Sequence, residues 1–146
     1  MLKLLKQADL PAVTEIFYDA FTHPPWNYHW MTTEKAARYV RDLYRTPGSL
    51  SFMFIQDSKP AGFCLGRLDD YFEHIIYEIK EIAVSFTKQR KGLGSLILSA
   101  VESYVAKHHN TGFISLQTAR HSPAYDFYIK NNYVPVEQNA SLAKSL

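Results

Sequence analysis

The feature that most constrains this chain is a run from Gly92 to His109 in which Leu93, Leu96, Ile97, Ala100, Val101, Tyr104 and Val105 keep strict three-and-four spacing. That spacing predicts a helix with one buried face, and Asn110-Thr111-Gly112 supplies its stop. Apolar strand-like segments lie on both sides, Tyr77 to Val84 before it and Phe113 to Thr118 after it. Strand, helix, strand in that order is a parallel pair joined by a right-handed crossover. Ligands in such units collect at the carboxyl ends of the parallel strands, here around Val84 and Thr118.

The remaining segments set what surrounds this unit. Lys3 to Lys6 reads as a first strand. Asp9 is placed to cap a helix carrying Val13, Ile16, Phe17, Ala20 and Phe21 on one face, stopped by Pro24-Pro25. A second helix begins at Thr32 or Thr33, turns Ala36, Ala37, Val40, Leu43 and Tyr44 inward, and ends before Thr46-Pro47-Gly48. Ser51 to Asp57 and Ala61 to Asp69 form an antiparallel hairpin about Ser58-Lys59-Pro60. Ser122 caps a short helix over Ala124 to Asn131, with Pro123 in its first turn. Asn132 then takes a left-handed conformation before a final strand around Tyr133 to Val136. The fold class is therefore α/β, a mixed β-sheet flanked by helices, in one domain covering residues 1–146.

Composition narrows the function. With 47% hydrophobic and 21% charged residues in 146, the chain is globular in character, and no stretch approaches the roughly 18 apolar residues of a membrane span. A net charge of +2 with scattered cations argues against a nucleic-acid partner. Cys64 is the single cysteine, which excludes an internal disulfide and a multi-cysteine zinc site and fits a reducing, cytoplasmic setting. The opening Met1-Leu2-Lys3-Leu4-Leu5-Lys6 lacks a secretory pattern. His108-His109 lack a third ligand at metal spacing and suit the helix dipole instead, so no metal is expected.

Between strand and helix lies Ser85-Phe86-Thr87-Lys88-Gln89-Arg90-Lys91-Gly92-Leu93-Gly94-Ser95, with three cations and two glycines at a helix N-terminus. Free N–H groups and the positive end of the helix dipole favour an anion there, and glycine allows a phosphate to approach the main chain. The chain has no G-x-x-x-x-G-K-[ST], and Ile97 stands where a dinucleotide fingerprint needs its third glycine, so the standard nucleotide folds are disfavoured. A bare G-x-G is more often an ordinary turn; its company here is more specific.

The strand Glu81-Ile82-Ala83-Val84, the segment Gln89-x-x-Gly92-x-Gly94, and Ala124-x-x-Phe127-Tyr128 after the next strand together resemble the GNAT superfamily of acyl-CoA-dependent N-acetyltransferases. Within it the chain is most similar to the small-molecule branch that includes aminoglycoside N-acetyltransferase-like proteins. The resemblance implies a twisted sheet whose central parallel strands splay apart, with acetyl-CoA as cosubstrate. It further implies that the main chain of Ile82, Ala83 and Val84 pairs with the pantetheine arm, and that Gln89, Arg90, Lys91, Gly92, Leu93, Gly94 and Ser95 hold the phosphates. Val84 N–H would support the oxyanion. His121 stands where many members have an asparagine against the pantetheine, and Asn132 replaces a usual glycine.

The implied chemistry needs a neutral amine, and an alkyl ammonium of pKa near 10.4 lies roughly 4.6 kcal/mol from that state at neutral pH. Alternation puts Tyr77, Ile79, Glu81 and Ala83 on one strand face and Glu78, Lys80, Ile82 and Val84 on the other. Glu81, with apolar neighbours on its face, is the candidate base, directly or through water, and Glu78 is the alternative. Tyr128 matches the tyrosine that protonates the departing sulfur in the family. Trp26, Tyr28, His29 and Trp30 crowd a loop that resembles the acceptor wall, where rings can hold a cationic amine. The same rings could instead anchor the core or a homodimer interface. Asp69, Asp70 and Glu73 read as an acidic turn. The function expected is acetyl transfer from acetyl-CoA to a small primary amine in a ternary complex. The alternatives are a CoA-binding sensor or interaction module and a protein-lysine or N-terminal acetyltransferase.

Overall fold

The computed structural model describes residues 1–146. Five strands, β1 (Leu2–Leu4), β2 (Phe52–Gln56), β3 (Lys59–Tyr71), β4 (His74–Val84) and β5 (Phe113–Leu116), lie side by side in sequence order. Every neighbouring pair is antiparallel except β4 and β5, which are parallel and joined by helix α3 (Leu93–His109). Helices α1 (Leu10–Thr22) and α2 (Thr33–Arg45) precede β2, and α4 (Pro123–Lys130) follows β5. No helix is long and apolar enough to cross a membrane.

Two apolar layers fill the faces of this sheet. Val13, Ile16, Phe17 and Ala20 of α1 with Ala36 and Val40 of α2 pack on Met53, Phe63, Leu65 and Ala83. On the opposite face, Leu93, Ile97, Leu98, Val101 and Val105 of α3 with Tyr128 of α4 pack on Phe52, Cys64, Tyr77, Ile79 and Val84. From Phe63 to Leu65 strand β3 serves both layers by alternation, Phe63 and Leu65 to one side and Cys64 to the other.

Strand β4 does not alternate throughout. Leu65 faces Glu81 while Gly66 faces Ile79, so Lys80 is an extra residue in the ladder. Such a bulge reverses the side-chain phase beyond it. Tyr77 and Ile79 therefore enter the α3 layer, whereas Ala83 enters the α1/α2 layer and Glu81 reaches Tyr39 of α2. This corrects the simple alternation, which grouped Tyr77, Ile79, Glu81 and Ala83 on one face.

Other boundaries differ for identifiable reasons. The β2–β3 hairpin turns on Asp57 and Ser58, both left-handed at φ 52 and 58, so Lys59 and Pro60 already pair in the ladder. Strands β3 and β4 extend to Tyr71 and His74, making Asp69 and Asp70 strand residues. Arg67 binds Asp69 at 2.8 Å. The Asp9 carboxylate caps no amide of α1; it accepts from Lys6 N–H at 2.9 Å and pairs with Lys3 at 2.8 Å. Ser122 and Asn132 behave as their sequence context suggests: Ser122 Oγ accepts from Tyr125 N–H, and Asn132 has φ 66.

The final strand expected around Tyr133 to Val136 is absent. Pro135 has no N–H to give, and Val134 and Val136 are exposed, so nothing recruits that segment to the β5 edge.

Tyr77 is the largest fully buried side chain, and its hydroxyl donates to the Leu50 carbonyl at 2.8 Å. It passes directly over Gly66, where an added Cβ would collide with the phenol ring and lie 2.8 Å from the Glu78 carbonyl oxygen. Gly66→Ala should therefore lower stability by about 1–3 kcal/mol through overpacking, read as a lower urea midpoint with unchanged denaturant slope.

Candidate active site

The site begins where β4 loses a neighbour. Pairing with β5 ends at Ile79 opposite Leu116, while pairing with β3 continues to Val84 opposite Gly62. Residues beyond Ile79 on one strand and Leu116 on the other diverge, so Gln117 and Thr118 lie outside the ladder. Ser85 N–H donates to the Ala61 carbonyl at 2.9 Å, which sets the antiparallel phase. Main-chain groups of Ala83 and Glu81 therefore point to β3, and those of Ile82 and Val84 point into the gap. The Val84 carbonyl is taken there by the Gln89 side-chain amide at 3.1 Å.

The gap leads directly to the start of α3. Arg90 and Gly92 both adopt left-handed conformations, φ 59 and 78. Gly92 caps α3 without a side chain, so no side-chain acceptor covers the first amides of the helix. The N–H groups of Leu93, Gly94 and Ser95 precede the first intrahelical bond and point outward with the positive end of the dipole. A Cβ at Gly92 would meet nothing, so that glycine is there for its backbone conformation. A Cβ at Gly94 would instead lie 3.2 Å from the Phe127 ring of α4, so this glycine lets the two helices close around the gap.

Arg90 and Lys91 are exposed on this loop, and Lys91 Nζ approaches the Thr87 carbonyl at 3.5 Å. Lys88 is turned away to Gln56 at 3.2 Å and Asp57 at 3.8 Å. Lys88 and Lys91, with Gln56, Asp57, Gly92, Leu93 and Leu96, line a cleft of about 340 Å³ beside the helix start, and Arg90 lies outside it. His121 sits on the exposed loop before α4 with φ 56.

Two titratable groups flank the gap. Glu81 is half-buried, and that burial pushes its carboxyl above the ordinary range, opposed by a hydrogen bond from Tyr39 and by the charge of Lys80. Tyr39 Oη donates to Glu81 Oε1 at 2.8 Å. Glu78 is engaged elsewhere, by Lys80 at 2.8 Å and Arg67 at 3.5 Å. Tyr128 is buried in the α3 layer against Phe127 and Tyr133, at ring separations of 5.2 and 5.5 Å. Burial, with smaller contributions from Cys64 and from Glu81, holds its phenol protonated well beyond neutral pH. The neighbouring Tyr133 hydroxyl is committed to Glu102 at 3.0 Å, whereas that of Tyr128 has no partner within the chain.

The aromatic loop forms one continuous wall. Trp26 and Tyr28 lie 5.7 and 5.9 Å from Phe21, and Trp30 lies 5.2 Å from Tyr28. Phe21 continues to Phe17 at 4.6 Å and Phe17 to Tyr39 at 5.5 Å, so the rings run to the residue that holds Glu81. Trp30 and His29 are exposed. Tyr39 is the residue the sequence analysis missed. It stands three positions after Ala36 and four before Leu43, so the helical spacing that would place it beside the buried face was present.

The sequence profile of the acetyltransferase (GNAT) family matches residues 10–133. No curated protein sequence matches the chain. A possible acetyltransferase from Clostridium difficile 630 has a similar fold, with a TM-score of 0.82 at 13% identity, covering 100% of this chain and 97% of that one. An aminoglycoside acetyltransferase from an uncultured soil metagenomic sample, solved with sisomicin, gives 0.77 at 16% identity over 100% and 95% of the two chains. A ribosomal-protein-alanine N-acetyltransferase from Brucella melitensis gives 0.74 at 12% over 99% and 98%. At these identities the likeness is one of fold, and it agrees with the profile that spans most of the sequence. The protein belongs to the GNAT acetyltransferase family.

Proposed function

We propose that this protein transfers the acetyl group of acetyl-CoA directly to the primary amine of a small molecule. The observation that carries this reading is the gap itself: Ile82 and Val84 turn main-chain groups toward a strand that is not there, and the gap opens onto the unpartnered amides of Leu93, Gly94 and Ser95. An extended arm bearing amides, ending in a diphosphate, satisfies both parts at once. Gln89, Arg90 and Lys91 add polar and cationic groups for the phosphates, and His121 borders the arm from the α4 side. An aminoglycoside N-acetyltransferase of like fold is known in complex with CoA.

The chemistry follows from the two groups at the gap. The Glu81 carboxylate takes a proton from the ammonium, directly or through water. The neutral amine attacks the thioester carbonyl, and Val84 N–H supports the oxyanion. As the C–N bond forms and the C–S bond breaks, the Tyr128 hydroxyl protonates the departing sulfur and its phenolate recovers the second proton shed by the nitrogen, giving amide and free CoA thiol. Direct transfer is favoured over an acyl-cysteine because the single cysteine, Cys64, is fully buried with its thiol pushed up to about 12. Trp26, Tyr28 and Trp30 supply ring faces for a cationic acceptor. The aminoglycoside acetyltransferase of like fold agrees with such an acceptor. The ribosomal-protein-alanine enzyme marks a peptide N-terminus as the comparison to run.

A thiol-release assay with acetyl-CoA and a panel of polyamines, amino sugars, amino acids and peptides tests this reading. Turnover with a small amine is expected, and Tyr128→Phe should reduce kcat by about 10²-fold or more; wild-type rates in that variant would remove Tyr128 from the chemistry. CoA binding without turnover on any amine would make the protein a CoA-binding module instead.

The pH dependence has a defined sign. Glu81 must be ionised to accept a proton, so kcat/KM should climb as pH rises through a pKa above the ordinary carboxylate value of about 4.3. Glu81→Gln should abolish that climb. Because burial disfavours the carboxylate, its contribution to folding is full at low pH and falls as pH rises through the raised pKa. The Gln variant should accordingly match or exceed wild-type thermal stability above that pH, which separates lost chemistry from lost fold.

A further inference from the structure

We infer that Tyr39 is the positioning residue for Glu81: its hydroxyl fixes one carboxylate oxygen and leaves the other to the acceptor amine. This rests on the proposed role of Glu81 as base. The Tyr39 hydroxyl donates to Oε1 at 2.8 Å, while Oε2 makes no hydrogen bond within the chain. A carboxylate held at one oxygen presents its second lone-pair set in a defined direction, which a general base in a ternary complex requires.

Glu81 has few other restraints. It follows the bulge at Lys80, where β4 departs from regular pairing, and it faces Leu65 across the ladder. The α1 helix presents Phe17 to Tyr39 and no ionisable group to the carboxylate. The titratable groups around Glu81 are Tyr39 from α2, Lys80 on its own strand and Tyr128 from α4. Among these, only Tyr39 bonds to the carboxylate directly. Its ring is set by Phe17, which belongs to the run of rings reaching Trp30, so the wall that receives the acceptor also places the group that orients the base.

Tyr39→Phe keeps the ring and removes the donor. Two readouts follow. In a titration of the Glu81 side-chain carbon followed by NMR, loss of a hydrogen bond to the ionised form should raise its pKa by about one unit or more. In the acetyl-transfer assay, the rising limb of kcat/KM should move up in pH by the same amount, with KM for acetyl-CoA unchanged. In the Glu81→Gln background, Tyr39→Phe should add little further loss. An unchanged Glu81 titration in Tyr39→Phe, or equal losses from Tyr39→Phe with and without Glu81, would overturn the assignment. If the wild-type protein turns over no amine, the functional reading fails while the NMR titration still decides whether Tyr39 holds the carboxylate.

Discussion

The structure depends on the divergence of two parallel strands. As long as β4 and β5 run together, each satisfies the other's main chain, and the sheet is an ordinary mixed one. Past Ile79 and Leu116 they part, leaving backbone donors and acceptors of Ile82 and Val84 without a strand. Buried or half-buried amides without partners are costly, so main-chain groups facing such a gap are open to a further hydrogen-bonding partner. Both apolar layers are arranged to hold the gap open, α3 and α4 from one face and α1 and α2 from the other.

The bulge at Lys80 decides which side of the gap Glu81 faces. Without it, Glu81 would share a face with Tyr77 and Ile79 and lie beneath α3 among apolar side chains. With it, the carboxylate turns to the α1/α2 face, where Tyr39 and the ring wall lie, while Ile82 and Val84 keep their side chains in the α3 layer. One residue of irregularity thus separates the strand face that meets Tyr39 and the ring wall from the layer that holds Tyr128.

Most of the fold is legible in the sequence because its elements obey local rules. The faces of α1, α2 and α3 repeat at helical spacing, Ser122-Pro123 opens α4, and Gly92 marks the start of α3. What escapes is set by relations between strands. A bulge depends on how β3 and β4 pair, and neither segment alone encodes it, so the neighbours expected for Glu81 differ from the observed ones. Tyr39 escapes for a related reason: it lies on the exposed flank of an amphipathic helix, and its partner is distant in sequence. The strand expected at Tyr133 to Val136 shows the converse, since β-branched residues suggest pairing locally but Pro135 and an exposed setting do not sustain it.

The most direct test is amide chemical-shift mapping of the labelled protein titrated with CoA. The account predicts saturable shifts concentrated at the N–H groups of Ile82, Val84, Leu93, Gly94 and Ser95, weakening with added salt as a diphosphate contact should. Shifts confined to other surfaces, or none at millimolar CoA, would contradict it.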